Sequence, residues 1–386
     1  MSMSKSYNIM NKKDINNKPF DEGTLLKLDI FRDCFREWFP VFVHNPAISR
    51  IYIYDMFAGS GKDSIGMDGS PLILLKEARG NEKQHCKELS NDQSKKVVFG
   101  FNEFDANKKI ALEALLRDNQ SLCQKNCPLE CPYKNSLFFQ SEDFKKLFLN
   151  NNFRRILANN KFAKFVLLDQ YGFKQIDEDV FIELVNSPTT DFIFFIASSF
   201  IRRFQTLPAV TKYFRENQIR FDESKPKECH RVIADNYRSL VPCDRDYYIH
   251  AFTIQKGKNY YGLIFGTNHS LGMEKFVKVC WRHDSMSGES NCNIDNDFLP
   301  GTLFFEQDNS NKKSMVKDEI EKLILARAIT SNIQGLQYAL KHGCEPKLFV
   351  EVISQMKKAG KVSIIGKFNR QSTNIHRIDE YLIELA

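Results

Sequence analysis

Apolar residues recur at helical spacing over residues 22–39, where Leu25, Leu28, Ile30, Phe31, Phe35 and Phe39 fall close to one face and Trp38 stands near the end. The pattern predicts an amphipathic helix that docks on a larger core. A different pattern follows. Ile51–Asp55 is a short β-branched and aromatic run that ends in an acid and passes at once into the glycine-bearing Phe57-Ala-Gly-Ser-Gly61, which reads as strand, tight turn and helix. Strands and helices then alternate: strand Val97–Phe101, helix Ala106–Arg117, strand Leu137–Gln140, helix Phe144–Ala158, strand Phe165–Leu168, helix Asp179–Asn186, strand Asp191–Ala197. Such alternation predicts a parallel sheet covered on both faces. Tyr247–Ile254 and Tyr260–Thr267 flank Gly257-Lys-Asn259, which predicts an antiparallel hairpin at the sheet edge.

Seven strands that close on a hairpin describe an α/β fold, a Rossmann-like class I methyltransferase sheet, and the hairpin separates it from an ordinary dinucleotide-binding fold. The polar stretch Gln307–Lys313 marks a boundary. Three helical stretches near 316–328, 332–342 and 346–358 then precede Lys361–Ile365 and a further short strand, the order of a winged helix. The expected domains are a helical segment over 1–45, a methyltransferase-like domain over 46–310 and a winged-helix domain over 315–386.

Composition narrows the setting. With 42% hydrophobic and 27% charged residues in 386, the chain is globular rather than disordered or fibrous. No apolar run approaches the roughly 18 residues that span a bilayer, and the first residues lack a secretion signal's apolar core, so a cytoplasmic location without membrane contact is expected. The net charge of +7 is concentrated at the C-terminal end, where residues 311–386 hold 13 basic and 8 acidic side chains. That asymmetry fits a nucleic-acid partner, DNA or RNA.

The turn after the first strand carries the candidate chemistry. Glycines there let backbone amides approach a nucleotide-like ligand closely. It is no Walker A loop, which would need Gly at Met56 and Ser or Thr at Asp63, and no G-x-G-x-x-G, whose third glycine would fall at Ser64. An acid at the end of the first strand suits a sulfonium or an amine better than a pyrophosphate, which points to S-adenosylmethionine. Asp55, Phe57, Ala58, Gly59 and Gly61 would form its seat. Glu103, at the end of the second strand, would accept hydrogen bonds from both ribose hydroxyls, with Asp105 as local competitor. Asp143 would take the adenine amino group or cap the next helix.

Lys164–Phe173 delivers Asp169-Gln-Tyr-Gly172 to the carboxyl end of the fourth strand, beside the cofactor cleft of an open α/β sheet. Enzymes that methylate an exocyclic base nitrogen place an acid or amide, prolines and an aromatic there, so that polar groups hold the amine while the ring stacks on the extruded base. Asp169, Gln170 and Tyr171 are the expected catalytic set. Gln170 stands where a proline would fix the backbone, which leaves a catalytically inactive binding or regulatory protein as the alternative. The other functional class, a nuclease-type effector, lacks a convincing metal-carboxylate set.

Together these segments resemble the three-Cys-motif partner family of methyltransferase-like bacterial proteins, companions of a separate iron–sulfur-type protein. The resemblance runs through Gly23-Thr-Leu-Leu-Lys-Leu28 with Trp38-Phe-Pro40, Asp55–Gly61 with Gly69-Ser-Pro-Leu72, and Asp169-Gln-Tyr-Gly172 where the family tends to show Asp-Pro-aromatic-Gly. It continues through Tyr260–His269 with Leu271-Gly272 and Trp281. It implies S-adenosylmethionine binding at Asp55, Gly59, Gly61 and Glu103, together with a partner protein. His269 falls in these segments, where a near-neutral pKa would suit proton transfer or substrate orientation.

Ten cysteines at uneven spacing in such a chain are thiols or metal ligands rather than a disulfide framework. Cys123, Cys127 and Cys131 form the densest array, and a tetrahedral zinc would take a fourth ligand from Cys86 or His85. Both segments precede strands, which puts the cluster at the sheet edge opposite the cofactor and makes a zinc there structural. In the C-terminal module, Pro346–Ala359 turns Leu348, Phe349, Val352, Ile353 and Met356 inward and is followed by Lys357, Lys358, Lys361 and Lys367, an arrangement suited to groove and phosphate contacts or to a protein partner.

Overall fold

The computed structural model describes residues 18–92, 94–211, 221, 226–295, 311–369 and 373–386. In chain order the elements are α1 (Glu22–Val43), β1 (Arg50–Asp55), α2 (Ser70–Glu77), α3 (Gln84–Asn91), β2 (Lys96–Asn102), α4 (Ala106–Lys125), β3 (Leu137–Gln140), α5 (Phe144–Phe148), α6 (Asn151–Leu157), β4 (Phe162–Leu168), α7 (Glu178–Asn186), β5 (Thr190–Ile196), α8 (Ser198–Arg203), α9 (Pro208–Thr211), α10 (Cys229–Ser239), β6 (Tyr248–Lys256), β7 (Asn259–Thr267) and α11 (Ser270–His283). The C-terminal elements are α12 (Asn311–Leu325), α13 (Asn332–Lys341), α14 (Lys347–Lys358), β8 (Val362–Ile365) and β9 (Leu382–Leu385).

Strands β1 to β7 form one sheet in the order β3-β2-β1-β4-β5-β7-β6. The first five are parallel and β7 runs antiparallel to both neighbours, which is the mostly parallel, Rossmann-like class I methyltransferase sheet. Its two faces are covered by separate cores, as the alternation in β1 illustrates: Ile51 and Ile53 join one cluster, Tyr52 and Tyr54 the other. Helix α1 packs on the first face through Phe35, Trp38 and Phe39. Phe35 meets Phe165 edge-on at 5.4 Å, and the Trp38 indole N–H donates to the buried Asp191 carboxylate at 2.5 Å. Asp21 caps α1 by accepting the Thr24 N–H at 2.7 Å.

Register places the candidate chemistry. Asp55 pairs with Phe101 on one side and Leu167 on the other, so Asp55, Glu103 and Asp169 emerge at one carboxyl edge, each within two residues of the same level.

Three expectations are corrected. The glycine turn does not lead straight into a helix; residues 62–69 intervene, bridged between Lys62 and Asp68, and α2 begins only at Ser70. The Asp63 carboxylate holds that loop shut, accepting N–H bonds from Phe20 at 2.8 Å, Ile65 at 3.0 Å and Met67 at 2.8 Å. The expected helix over 144–158 is two, because Asn150 accepts the Asn152 N–H at 2.8 Å and starts α6 afresh. Helix α1 continues through Pro40 to Val43.

Helices α12 to α14 bury Ile320, Leu336, Phe349 and Ile353, and β8 and β9 pair antiparallel, with a further bridge from Ser331 to Leu382. This core is continuous with that of the sheet's first face. Trp281 donates its N–H to the Gly343 carbonyl at 2.8 Å, and the buried Lys312 ammonium bonds the Ser287 carbonyl at 3.0 Å and the Glu289 carboxylate at 2.5 Å. The expected boundary at 315 falls inside α12, which is described from Asn311; residues 307–310 of the polar stretch, like residues 1–17, lie outside the described residues.

Candidate cofactor and acceptor site

Asp55 is fully buried at the end of β1. One carboxylate oxygen accepts the Phe57 N–H at 3.2 Å and the other the Ser70 hydroxyl at 2.6 Å. Burial, with the Asp169 charge adding to it, pushes the acid up to about 7 against the pull of the Ser70 bond. No cation among the described residues pairs directly with it. A buried acid held part-protonated in this way would ionise fully beside a positively charged ligand.

The turn itself is tight. Gly59 and Gly61 have φ of 63° and 85°, and a Cβ on Gly61 would lie 2.8 Å from Leu112 Cδ1, so glycine is required there. Ala58 is buried and donates its N–H to the Asn102 carbonyl at 2.9 Å. Phe57 turns its ring onto Phe144 at 5.1 Å. Glu103 crosses to the turn, accepting the Gly59 N–H at 2.9 Å and the Asp105 N–H at 2.9 Å. Asp105 caps α4 through the Asn107 and Lys108 N–H groups, and Glu103 faces the turn. Asp143 caps α5, accepting the Lys146 N–H at 3.2 Å, which is the capping alternative for that residue. The turn, the β1 acid and Glu103 are thus contiguous and fit a nucleoside whose other end carries a cation.

Asp169, at the mouth of β4, bonds the Lys27 ammonium of α1. Tyr171 is 78% exposed, a ring free to stack. Gln170 departs from expectation. It is 1% exposed, and its side-chain carbonyl accepts the Gln175 N–H at 2.9 Å. It therefore closes its own loop and is not presented to a base. Its amide nitrogen is buried without a partner among the described residues. His269 caps α11, accepting the Leu271 N–H at Nδ1 at 3.2 Å, and its ring lies 4.4 Å from His376, with burial pulling its pKa down.

Three side chains at the site had no assigned role in the sequence. Ser70 reaches Asp55 because the Gly69 N–H bonds the Gly61 carbonyl at 2.8 Å and folds the start of α2 back on the turn; the signal was Gly69-Ser-Pro71. Lys27 and Lys256 were hidden among solvent-facing positions. The Lys256 ammonium bonds the Thr24 hydroxyl at 2.7 Å.

The two thiol-bearing segments lie together: the Lys83 ammonium bonds the Asn126 carbonyl at 3.2 Å and the Ser90 hydroxyl the Glu130 carbonyl at 3.3 Å. Cys86 is buried on α3 and pushed up to about 12, by burial first and then by Cys131 and Cys123. Among the described residues no three His, Cys, Asp or Glu side chains are set to hold one metal ion. His85, the other expected fourth ligand, has Nδ1 3.0 Å from Glu88. A cavity of about 430 Å³ lies elsewhere, between β1–β3 and α5–α6, and is lined by Tyr52, Tyr54, Phe138, Phe153, Asn102 and Gln140 but by none of the acids above.

No helix among the described residues is long and apolar enough to cross a membrane. No family model matches the sequence, and a search of curated proteins gives no significant match. Among solved structures, the chain is similar to Trm1 from Pyrococcus horikoshii in complex with S-adenosyl-L-methionine, at 10% identity and TM-score 0.36, covering 74% of this chain and 66% of that one. It is similar to precorrin-6y C5,15-methyltransferase from Geobacter metallireducens at 8% identity and TM-score 0.30, covering 66% and 95%. For the METTL16 methyltransferase domain the values are 7%, 0.30, 62% and 82%. The strand order β3-β2-β1-β4-β5-β7-β6, with β7 antiparallel, by itself specifies the fold.

Proposed function

We propose that the chain is an S-adenosylmethionine-binding, methyltransferase-like protein of the cytoplasm that acts on a base amino group of DNA or RNA. The observation that carries the reading is Asp55: a fully buried carboxyl, pushed up to about 7, at the foot of a positive-φ glycine turn and beside Glu103. S-adenosylmethionine, when bound, supplies an electrophilic methyl group. Asp55 would hold the cationic end, Phe57, Ala58, Gly59 and Gly61 would shape the seat, Glu103 would take the ribose hydroxyls, and Asp143, which also caps α5, would take the adenine amino group. Asp169 accepts an N–H of the target amine and orients its lone pair, while the exposed Tyr171 ring stacks on the base.

In this reading the C-terminal helices and the β8–β9 ladder are a winged helix that docks the polymer. Support comes from the three-helix order, the Ser331–Leu382 bridge to the ladder and the exposed Lys347, Lys357, Lys358 and Lys367. The domains follow the division drawn from the sequence, with residues 1–45 contributing α1 and the third domain extended from 315 to take in all of α12 from Asn311. The resemblance to the three-Cys-motif partner family, and with it a partner protein, belongs to the same proposal. So does a structural zinc on Cys86, Cys123, Cys127 and Cys131, supported by the convergence of two distant segments; metal analysis of protein purified without chelator checks it, and less than about 0.2 zinc per chain removes that part.

Calorimetry with S-adenosylmethionine on wild type and Asp55→Asn tests the first step: wild type binds, and the variant binds at least about tenfold more weakly, as loss of one buried charge partner requires. Absence of wild-type binding ends the proposal. Tritiated methyl transfer to mixed DNA and RNA, lost in Asp169→Ala, then separates an active enzyme from a second reading, a binding or regulatory protein. That second reading is favoured by Gln170, which occupies the proline position and spends its side chain on its own loop.

A further inference from the structure

Lys27 lies in the run Gly23–Leu28 that the sequence singles out but that the reading above leaves without a role. Its ammonium is the one hydrogen-bonding partner of the Asp169 carboxylate among the described residues, and it bonds a single oxygen, Oδ2. The side chains are 8% and 19% exposed, so the pair is desolvated on the lysine side and open on the acid side. The ammonium also sits over the Phe195 ring at 4.8 Å and is 5.9 Å from the Phe31 ring, and Phe195 stacks on Tyr261 at 5.1 Å. The lysine therefore has a fixed shelf as well as a charge partner.

The start of α1, one turn before this contact, is held in place as well. Gly23 leaves no room for a Cβ, which would lie 2.5 Å from Lys256 Cγ. Lys256 bonds Thr24 and lies 3.1 Å from Asp21, and the Phe20 N–H reaches Asp63 in the loop after the glycine turn. Helix α1 is thus tied at three points to the elements that frame the cofactor and acceptor edge.

We infer that Lys27 is a positioning residue for methyl transfer: it occupies one oxygen of Asp169 and fixes the rotamer that presents the other to the acceptor amine. This rests on the proposed function, because Asp169 needs a fixed acceptor oxygen only if it receives an amine. The contact comes from α1, so the acceptor half of the site is completed by the N-terminal helix and not by the sheet alone. A near-attack geometry is sensitive to displacements of about 1 Å, which cost on the order of a hundredfold in rate.

The test is steady-state tritiated methyl transfer to mixed DNA and RNA by the full chain, comparing wild type, Lys27→Met and Lys27→Arg, with thermal midpoints and calorimetric S-adenosylmethionine affinity measured alongside. The expected result is a fall in kcat of roughly 30- to 100-fold for Lys27→Met, a KM for S-adenosylmethionine within about threefold of wild type, and recovery of about tenfold by Lys27→Arg. Should Lys27→Met fail to fold, Lys27→Gln replaces it and the kcat-against-KM split is read there. A variant whose kcat stays within about threefold of wild type, or that loses cofactor affinity and activity in parallel, overturns the inference while leaving the proposed function standing. A wild type that binds S-adenosylmethionine but transfers no methyl group overturns both the inference and the enzymatic reading.

Discussion

The Ser70 hydroxyl donates to Asp55 Oδ2 at 2.6 Å, so the start of α2 stabilises the charged form of an acid that burial pushes up to about 7. Asp55 is flanked by the Phe57 N–H, the Asp169 carboxylate and, beyond it, the Lys27 ammonium. A cationic ligand lowers the acid's pKa when it binds, so binding releases a proton. Affinity for S-adenosylmethionine is then expected to rise about fivefold from pH 6 to pH 7, and about tenfold in all by pH 8, where it levels off. Ser70→Ala removes the opposing hydrogen bond and shifts that rise to higher pH. Calorimetry in buffers of different ionisation enthalpy reads both the affinity and the released proton; a pH-independent affinity in wild type contradicts the assignment.

The same acid has a stability cost of predictable sign. Its folded pKa lies above its unfolded value near 3.8, so between about pH 4 and 7 the folded state holds a proton that the unfolded chain gives up. Wild-type stability therefore falls through this term as pH rises across that window. Asn at this position retains the shape and can satisfy both neighbours, since the Ser70 hydroxyl can accept as well as donate. Asp55→Asn is expected to match wild type near pH 4 and to exceed it by roughly 1–3 kcal/mol at pH 8, while losing cofactor affinity. Urea unfolding midpoints at the two pH values check this. The lysine Lys164, drawn down to about 7 by burial, carries the opposite sign above pH 7 and is common to both proteins.

Trp38 and Asp191 give a test that concerns the fold alone. Asp191 is buried and pushed up to about 6 by that burial, against the hydrogen bonds from Thr267 and Trp38 and the charge of Lys164. Trp38→Phe keeps most of the packing but leaves the carboxylate short of a donor, at a cost of about 1–3 kcal/mol. The donor matters most to the ionised acid, so the gap between wild type and variant should be wider at pH 8 than at pH 5. Denaturant titrations at both pH values measure it, and an equal gap contradicts the role given to this bond.

Much of the sheet was legible because its strands are compact runs of β-branched and aromatic residues separated by helical periods. The acids at their carboxyl ends follow from register, as Asp55, Glu103 and Asp169 show. What a linear reading misses is the direction of single side chains. Gln170 sits in a motif that suggests contact with a base, yet a turn five residues long captures its carbonyl for Gln175. Lys27 counts as a solvated position in an amphipathic helix, and only the long-range docking of α1 brings it to Asp169. The four thiols were placed in one neighbourhood from strand order, but ligating distances depend on rotamers that spacing does not specify.

The C-terminal lysines are not equivalent, and this separates specific docking from a diffuse positive charge. Lys317 is 2.9 Å from Glu351 and Lys361 is 2.6 Å from Glu321, so two of the basic residues near α14 already face an acid. Lys357 and Lys358 are exposed where α14 gives way to β8, and Lys357 lies 5.0 Å from the Phe368 ring, beside the segment that joins β8 to β9. If α14 and that segment dock a nucleic acid, reversing Lys357 and Lys358 together to Glu removes about two phosphate contacts. Affinity for a labelled duplex or single-stranded RNA should then fall at least about tenfold at 100 mM salt, and the slope of log affinity against log salt should flatten by about 2. Lys317→Ala and Lys361→Ala, whose charges are already partnered, should stay within about threefold of wild type. Fluorescence anisotropy from 50 to 200 mM salt distinguishes the sets: equal losses in all variants mean that net charge alone drives association, and an unchanged double variant moves the polymer away from α14 altogether.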